Sequence, residues 1–180
     1  MHWVAQQLNP TRYSTIIPHN HEPPTRHPNT LKQLVSELDN PHSKVLVVGA
    51  PGVGKTTLLY ALAGQAQALG RKKVVLIQTD RIRQLAPAGS SESTYAQLLR
   101  QAMDYWMTKL HGEVVFAIDD VHRVLRSNGR RDAFLFTALQ SRAQIVITTT
   151  DAAYRKLLRL RMNHATARPR YVMMGVPAYG

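Results

Sequence analysis

The sequence predicts an α/β domain of three layers, in which a parallel sheet lies between two layers of helices. Three observations favour this fold. Short apolar, β-branched runs recur along the chain, segments of helical periodicity separate them, and a glycine-rich motif joins the first run to the helix behind it. Strands that alternate with helices build parallel sheets, because each crossover helix packs on a face of the sheet. Five such runs predict five strands, and 180 residues suffice for one domain with its own core.

The predicted elements follow in order behind an irregular segment. Residues 1–30 are rich in Pro, His, Asn and Thr and are expected to form an irregular N-terminal arm. Residues 31–180 are expected to form the folded core. The predicted helices cover 31–38, 56–69, 94–110, 132–139 and 152–160, and the predicted strands cover 44–48, 74–78, 114–118, 144–148 and 171–174.

Composition narrows the classes of function. The chain has no cysteine, which excludes disulfides and thiolate zinc sites. It has no run of about 18 apolar residues and no secretory signal pattern, so we expect a cytoplasmic protein without a membrane partner. The formal net charge is +12, with 23 basic and 11 acidic residues. This balance favours polyanionic ligands such as nucleotides, nucleic acids or acidic proteins, and the alternative is a basic surface that only serves solubility.

A phosphate-binding motif follows the first predicted strand. The stretch GAPGVGKTT, residues 49–57, matches G-x-x-x-x-G-K-[ST] between a strand and a helix. Glycines let backbone N–H groups turn towards phosphates, and the N-terminus of the helix adds positive potential. Lys55 is expected to reach the β- and γ-phosphates of ATP, and the Thr56 hydroxyl is expected to join the shell of Mg²⁺. The predicted nucleotide-binding residues are Gly49, Pro51, Gly52, Val53, Gly54, Lys55, Thr56 and Thr57. The motif therefore predicts the P-loop NTPase form of this fold.

Two adjacent aspartates end the third predicted strand, VVFAIDDVH. Asp119 is expected to hold Mg²⁺ together with Thr56, and Asp120 is expected to orient or polarise the attacking water. The alternative for Asp120 is that it only caps the next turn. At the end of the fourth strand, IVITTT, Thr149 is the first candidate and Thr148 the second for a hydroxyl that positions water near the γ-phosphate. The alternative is that β-branched threonines simply suit the end of a strand.

The order of these parts resembles the first ATPase module of the Clp-type AAA+ unfoldases and disaggregases. The segment FLFTALQSRAQIVITTTDAAYRKL follows the phosphate motif and the acid pair. It contains a helix that ends in Ala-Leu, a strand that ends in a Thr-Thr pair, and a helix that contains Tyr-Arg, in the order found in the family. The matching residues are Ala138-Leu139, Thr149-Thr150 and Tyr154-Arg155-Lys156. The resemblance runs from about Leu31 to Ala167. It implies a five-stranded parallel sheet, a ring of subunits with ATP between neighbours, Asp119 at the metal, and γ-phosphate sensing by Thr149.

The sequence departs from this family in three places. Asp120 stands where the family has a glutamate, and its shorter side chain displaces the carboxylate by roughly 1 Å, a shift that can lower a rate on the order of 10²-fold. The segment PAGSSESTY replaces a substrate-gripping loop that has an aromatic residue in the family. The chain ends soon after the last predicted strand, so the helical lid of the family is expected to be missing. Arg168 and Arg170 are candidates for the arginine that completes a neighbour's site, and the alternative is a basic surface loop.

Together these features predict an AAA+ ATPase core with ATP and Mg²⁺ as cofactors. Its Mg-dependent hydrolysis of ATP is expected to drive or switch a homo-oligomer or a complex with a partner protein, in a chaperone-related role. One alternative is a nucleic-acid-associated ATPase of the loader, transposition or origin-recognition type, with nucleic acid as its partner. A second is a scaffold that binds ATP without hydrolysing it. Ile16 and Ile17 are candidates for apolar contacts with the adenine base.

Overall fold

The computed structural model describes residues 8–18, 26–65, 70, 72–125, 133–153 and 170–174. Within these residues, the strands are β1 (Ser14–Ile16), β2 (Lys44–Gly49), β3 (Lys73–Gln78), β4 (Val114–Asp119), β5 (Gln144–Thr149) and β6 (Arg170–Met174). The helices are α1 (Pro28–Glu37), α2 (Lys55–Gly64), α3 (Thr79–Leu85), α4 (Glu92–Lys109) and α5 (Ala133–Gln140). Short 3₁₀ helices cover Pro10–Arg12 and Val121–Arg123. None of the helices in this part of the chain is both long and apolar enough to cross a membrane.

The strands form a sheet with the order β1-β3-β4-β5-β2-β6. The strands from β2 to β6 all pair in parallel, as the alternation of strands and helices predicts. Helices cover both faces, so the predicted three-layer α/β fold is confirmed. The carboxyl ends of β2, β4 and β5 lie at the same edge of the sheet, which is where ligands bind in open α/β folds.

The sheet differs from the predicted five strands by one additional strand. β1 lies inside the segment that was expected to be irregular, and it pairs antiparallel with β3, with Ser14 opposite Ile77 and Ile16 opposite Val75. Tyr13 just before it is fully buried, and its hydroxyl donates to the carbonyl of Leu98 on α4 at 2.8 Å. That burial raises the pKa of Tyr13. Tertiary contacts therefore specify β1, because three residues are too short for a periodic signal.

The boundaries of several helices also differ from the prediction. α1 begins at Pro28, three residues early, since a proline in the first turn of a helix gives up no hydrogen bond. α3 was not predicted: it has seven residues, of which only Thr79 and Ile82 are buried, so its sequence shows almost no helical period. Residues 66–69 of the second predicted helix lie outside the described residues. The predicted helix at 152–160 is described only to residue 153, and residues 151–153 are helical.

Each parallel strand contributes to two cores because its side chains alternate between the faces of the sheet. On one face Val45, Val47 and Val146 pack with leucines of α1 and α2. On the other face Leu46, Ile145 and Ile147 pack with residues of α4 and α5. All of the side chains of β2 and β5 are buried, so the positions of their last residues are fixed by packing on both sides.

Candidate nucleotide-binding site

A cleft of about 580 Å³ opens at the carboxyl edge of the sheet, above the N-terminus of α2. It is bounded by the loop after β2, the turn after β4 and the residue after β5. Its lining residues are Pro51, Gly52, Gly54, Lys55, Thr56, Thr57, Asp120, His122, Arg123 and Thr150. The phosphate motif and the second aspartate of the acid pair, which are 63 residues or more apart in sequence, therefore face a common space.

The phosphate loop adopts a conformation that requires glycine at two positions. Gly52 has φ +77° and Gly54 has φ +107°, values that a side chain would strain. A Cβ placed on Gly52 would meet no atom within 4 Å, so the backbone at this point borders open space in the cleft. The loop is held from behind, because the Val53 N–H donates to the carbonyl of Ala50 at 3.2 Å and the His27 ring donates through Nε2 to the carbonyl of Val53 at 2.8 Å.

Lys55 is the first residue of α2 and its side chain folds back along the loop. Its ammonium donates to the carbonyls of Gly49 and Ala50, each at 2.8 Å, and the residue is only 6% exposed. The charge thus lies at the mouth of a glycine-rich loop that begins a helix, where backbone N–H groups and the helix dipole also favour an anion. This arrangement suits the phosphates of a nucleotide.

Asp119, the last residue of β4, is held by three threonines from three different elements. The Thr56 hydroxyl on α2 donates to Oδ2 at 2.7 Å, and the Thr148 hydroxyl on β5 donates to Oδ1 at 2.5 Å. The Thr79 hydroxyl on α3 donates to the Asp119 carbonyl at 2.8 Å. Both carboxylate oxygens are therefore oriented, and one of them lies beside the hydroxyl of the phosphate motif.

These residues fit a magnesium ion that is also bound by phosphate. A hydroxyl and a carboxylate are hard oxygen ligands, and Mg²⁺ is commonly held by one or two protein oxygens together with phosphates and water. In the described ranges no group of three or more His, Cys, Asp or Glu residues could hold a metal ion by itself. The candidate metal ligands of the protein are accordingly Thr56 and Asp119, the pair expected from the sequence.

Asp120 lies in a turn that exposes its carboxylate to the cleft. Its backbone has φ 50° and ψ 56°, the left-handed region that few residues other than glycine adopt. Its N–H donates to the Thr148 hydroxyl at 2.8 Å, and its Oδ2 lies 3.6 Å from Nε of Arg123. Arg123 also donates to Oδ1 of Asp80 at 2.7 Å. The second acid therefore combines a left-handed backbone, a partly buried hydrogen bond and a basic neighbour, and backbone conformations of this kind cluster at functional sites.

Thr148 and Thr149 at the end of β5 and Thr150 just after it have different surroundings. Thr148 contacts both aspartates through its hydroxyl. Thr149 is fully buried, and its hydroxyl has no hydrogen-bond partner among the described residues. By strand alternation it points to the face of Ile145 and Ile147, away from Asp119, whereas Thr150 lines the cleft. The structure thus brings the second candidate, Thr148, to the acid pair and does not bring the Thr149 hydroxyl there.

The remaining candidates are spread more widely. Ile17 is buried in the same cluster as Val53 of the phosphate loop, while Ile16 packs against the other core. Arg170 is the first residue of β6, and Arg168 and the Tyr154-Arg155-Lys156 stretch lie outside the described residues. In the segment expected to replace the gripping loop, Tyr95 is 5% exposed and belongs to the buried face of α4.

Sequence reasoning assigned no role in the site to four residues at this edge: Thr79, His122, Arg123 and Thr150, the last of which it named only as part of the family's Thr-Thr pair. His122 lines the cleft, and burial lowers its pKa below the ordinary value, an effect that nearby Arg123 and Lys55 reinforce and the two aspartates oppose. Its Nδ1 is buried without a hydrogen-bond partner in the described part of the chain. Each of these residues lies within four positions of a strand end, and that location was the signal that could have identified them.

The fold and the cleft define a P-loop NTPase. The model of the ATPase family associated with various cellular activities (AAA) matches residues 45–169, which is more than half of the chain. The chain therefore belongs to the AAA family of ATPases.

Two solved structures of Saccharomyces cerevisiae Hsp104 have the same fold. The Hsp104-ADP complex aligns with a TM-score of 0.74 and 17% identity over 94% of this chain, and the Hsp104:casein complex in its extended conformation aligns with 0.69 and 15% over 93%. The predicted resemblance to Clp-type disaggregases is thus confirmed at the level of the fold. The chain spans 25% and 31% of the lengths of these two chains. No curated protein matches the sequence.

Proposed function

We propose that this chain binds Mg-ATP in the cleft and hydrolyses it, and that the bound nucleotide switches an assembly of copies or partners. The observation that supports this most directly is the 2.7 Å contact between Thr56 and Asp119. It joins the helix that begins in the phosphate loop to the strand that ends in the acid pair. A hydroxyl and a carboxylate placed together beside a phosphate loop serve to hold Mg²⁺ in P-loop NTPases.

The phosphate groups would be bound by the loop and by Lys55. Backbone N–H groups of the loop would donate to the phosphate oxygens, and the Lys55 ammonium would exchange its two carbonyl partners for oxygens of the β- and γ-phosphates. Magnesium, held by Thr56 and Asp119, would neutralise the charge that develops on these oxygens. Thr56 and Thr148 orient the carboxylate of Asp119, and Thr79 holds its backbone carbonyl, so that little reorientation would be needed when the metal binds.

Hydrolysis needs a water molecule in line with the bond between the γ-phosphorus and the bridging oxygen. The oxygen of that water forms a bond to phosphorus, the bond to the bridging oxygen breaks, and ADP and inorganic phosphate leave. Asp120 is the residue that we propose to orient this water and to accept its proton, because it lies in the cleft with its backbone fixed by Thr148. Since aspartate is one methylene shorter than glutamate, turnover is expected to be slow.

Phosphate release from Mg-ATP by the purified chain tests this function. Lys55→Ala serves as the blank, and Asp120→Glu tests the length of the acid. We expect slow release by the unaltered chain, faster release by Asp120→Glu, and none by Lys55→Ala. Release by Asp120→Glu alone would show that the natural chain binds ATP without turnover. Equal release by the chain and by Lys55→Ala would contradict the assignment of the cleft.

The non-hydrolysing scaffold is a second candidate, and the shortness of Asp120 favours it. In this case ATP would act as a ligand that orders the cleft and the surfaces beside it. Binding titration separates the two functions from phosphate release, because a scaffold would bind ATP tightly while releasing no phosphate. A mutation that only slows hydrolysis would leave the scaffold's activity unchanged.

We further propose that the chain works as an assembly, of itself or with a partner protein, in the cytoplasm. The support is membership in the AAA family together with the fold shared with Hsp104. A neighbour's arginine, Arg168 or Arg170, would then complete the site. Sedimentation velocity with Mg-ATP, with ADP and without nucleotide measures the assembly directly. We expect the unaltered chain to form a larger species with Mg-ATP, and we expect the Lys55→Ala variant not to form it. Identical sedimentation profiles with Mg-ATP, with ADP and without nucleotide would contradict self-assembly.

A further inference from the structure

Arg123 connects the acid pair to helix α3 through two carboxylates. Its Nη1 lies 2.7 Å from Oδ1 of Asp80, near the start of α3, and its Nε lies 3.6 Å from Oδ2 of Asp120. The same side chain lines the cleft together with Lys55 and Thr56. The guanidinium is therefore placed between a surface carboxylate and the space that the proposed function assigns to phosphate.

The contact with Asp80 is exchangeable. The side chains of Arg123 and Asp80 are 42% and 57% exposed, and ion pairs of such exposed groups contribute little to stability. Phosphate offers more negative charge and three acceptor oxygens, and the planar donor fork of arginine matches its geometry. A phosphate that entered the cleft next to Lys55 would compete with Asp80 for Arg123.

The position of Arg123 in the chain explains why it is aimed at the cleft. The left-handed turn at Asp120 redirects the backbone as β4 ends, and the Arg123 N–H closes the turn by donating to the Asp120 carbonyl at 3.0 Å. The residue follows directly after His122, which also lines the cleft. The local fold thus places one more cation at the phosphate end of the site, on the same chain as Lys55.

We propose that Arg123 determines the preference of this site for a nucleoside triphosphate over a diphosphate, by leaving Asp80 and contacting the γ-phosphate. The inference rests on the proposed function, since it concerns the same cleft. In the diphosphate state Arg123 stays with Asp80 and Asp120. In the triphosphate state the contact with Asp80 is broken, while α3 stays attached at the end of β4 through the Thr79 hydroxyl, which donates to the Asp119 carbonyl.

Affinities for a non-hydrolysable ATP analogue and for ADP, both with Mg²⁺, test this role. Arg123→Ala is expected to weaken binding of the analogue about tenfold, as for a lost hydrogen bond to a charged group, while ADP affinity changes less than about twofold. Asp80→Asn removes the competitor, so it is expected to raise the ratio of analogue to ADP affinity by about two- to fivefold. Arg83→Ala, an exposed arginine on the same helix as Asp80, is the matched control and is expected to change neither affinity.

Arg123→Ala is expected to lower the ratio of analogue to ADP affinity and Asp80→Asn is expected to raise it, and these opposite changes make the test specific. Equal weakening of both nucleotides by Arg123→Ala, or no change of either, would overturn the proposal, and so would a lower ratio with Asp80→Asn. Arg123→Lys provides a second variant that keeps the charge without the fork, and it is expected to lose part of the preference. If the unaltered chain bound neither nucleotide, the proposed function would fail and this role with it. Binding of both with no effect of Arg123 would refute the role of Arg123 alone.

Discussion

The hydroxyl of Thr148 donates to Oδ1 of Asp119 at 2.5 Å and accepts the N–H of Asp120 at 2.8 Å. One side chain of β5 thus fixes the carboxylate of the first acid and the backbone of the second. The neighbouring Thr149 is equally buried, but its hydroxyl has no partner among the described residues. Two adjacent threonines with the same burial therefore differ in whether the hydroxyl contributes to the site.

This difference predicts opposite results for two variants of equal size. Thr148→Val leaves a carboxylate oxygen of Asp119 and the N–H of Asp120, both partly buried, without their partner, so it is expected to lower the free energy of unfolding by about 1–3 kcal/mol. Thr149→Val removes an unpartnered hydroxyl and is expected to be neutral or stabilising. Urea denaturation of both variants measures the two changes. A larger loss with Thr149→Val than with Thr148→Val would contradict this difference between the two hydroxyls.

Asp119→Asn tests the metal site. Asparagine keeps the shape of the side chain but removes its charge, and amide oxygens are weak ligands compared with carboxylates for Mg²⁺. We expect Mg²⁺ to raise the ATP affinity of the unaltered chain. In the Asp119→Asn variant this rise is expected to be smaller by a factor of roughly ten or more. Titrations with Mg²⁺ and with EDTA measure the dependence. Asp104→Asn, at an exposed position of α4 outside the cleft, is the control and should keep the full response to Mg²⁺.

Ser14→Ala tests the attachment of β1 to the domain. The indole of Trp106 donates to the Ser14 hydroxyl at 2.8 Å, and that hydroxyl donates to the carbonyl of Pro10 at 2.5 Å. Ser14 is 1% exposed, so removal of its hydroxyl leaves the buried indole N–H of Trp106 without a hydrogen-bond acceptor. We expect this to lower the free energy of unfolding by about 1–3 kcal/mol. Thr15→Ala, on the exposed side of the same strand, is expected to change stability by less than about 0.5 kcal/mol. Equal losses in thermal or urea unfolding would contradict this attachment.

His122 predicts a dependence of stability on pH. Burial lowers the pKa of His122, and Asp120 and Asp119 oppose this shift while Arg123 and Lys55 add to it. A histidine whose pKa is lower in the folded state contributes its full stability above the unfolded pKa of about 6.5. That contribution is lost as the pH falls through the folded pKa. We therefore expect the unfolding temperature to fall more steeply between pH 7.5 and 5 for the unaltered chain than for His122→Gln, and parallel curves would contradict this.

The sequence predicted the parts of the site that have fixed spacing. Lys55 and Thr56 belong to a local motif, and Asp119 ends a parallel strand, whose carboxyl end must lie at the same edge of the sheet as that motif although β5 separates β4 from β2. The spacing of motifs could not decide whether the hydroxyl of Thr148 or that of Thr149 contacts the acid pair. That choice depends on the register that places Ile147 of β5 opposite Ile118 of β4, and a shift by one residue would have exchanged the two hydroxyls.

The features that the sequence did not predict depend on tertiary contacts. β1 and α3 are short, and each is stabilised by contacts with distant residues rather than by its own periodicity. The position of Arg123 follows from the left-handed turn at Asp120, a conformation that no residue in VVFAIDDVH requires. The family resemblance could be recognised from the sequence because it rests on several motifs that occur in a fixed order. A single glycine-rich loop would not have identified the family.

The pairing of β1 with β3 has a consequence for any shortened version of the domain. β3, with the sequence KVVLIQ, is an apolar strand whose outer edge, within the described part of the chain, is covered by the residues around β1: the Ile17 N–H donates to the carbonyl of Val74, and the Gln78 N–H donates to that of Tyr13. A chain trimmed at residue 31, where the folded core was predicted to begin, would leave this row of N–H and C=O groups open. Exposed apolar edges of this kind act as templates for another chain. We therefore expect the trimmed domain to aggregate, and residues 8–18 protect the fold against self-association through its sheet.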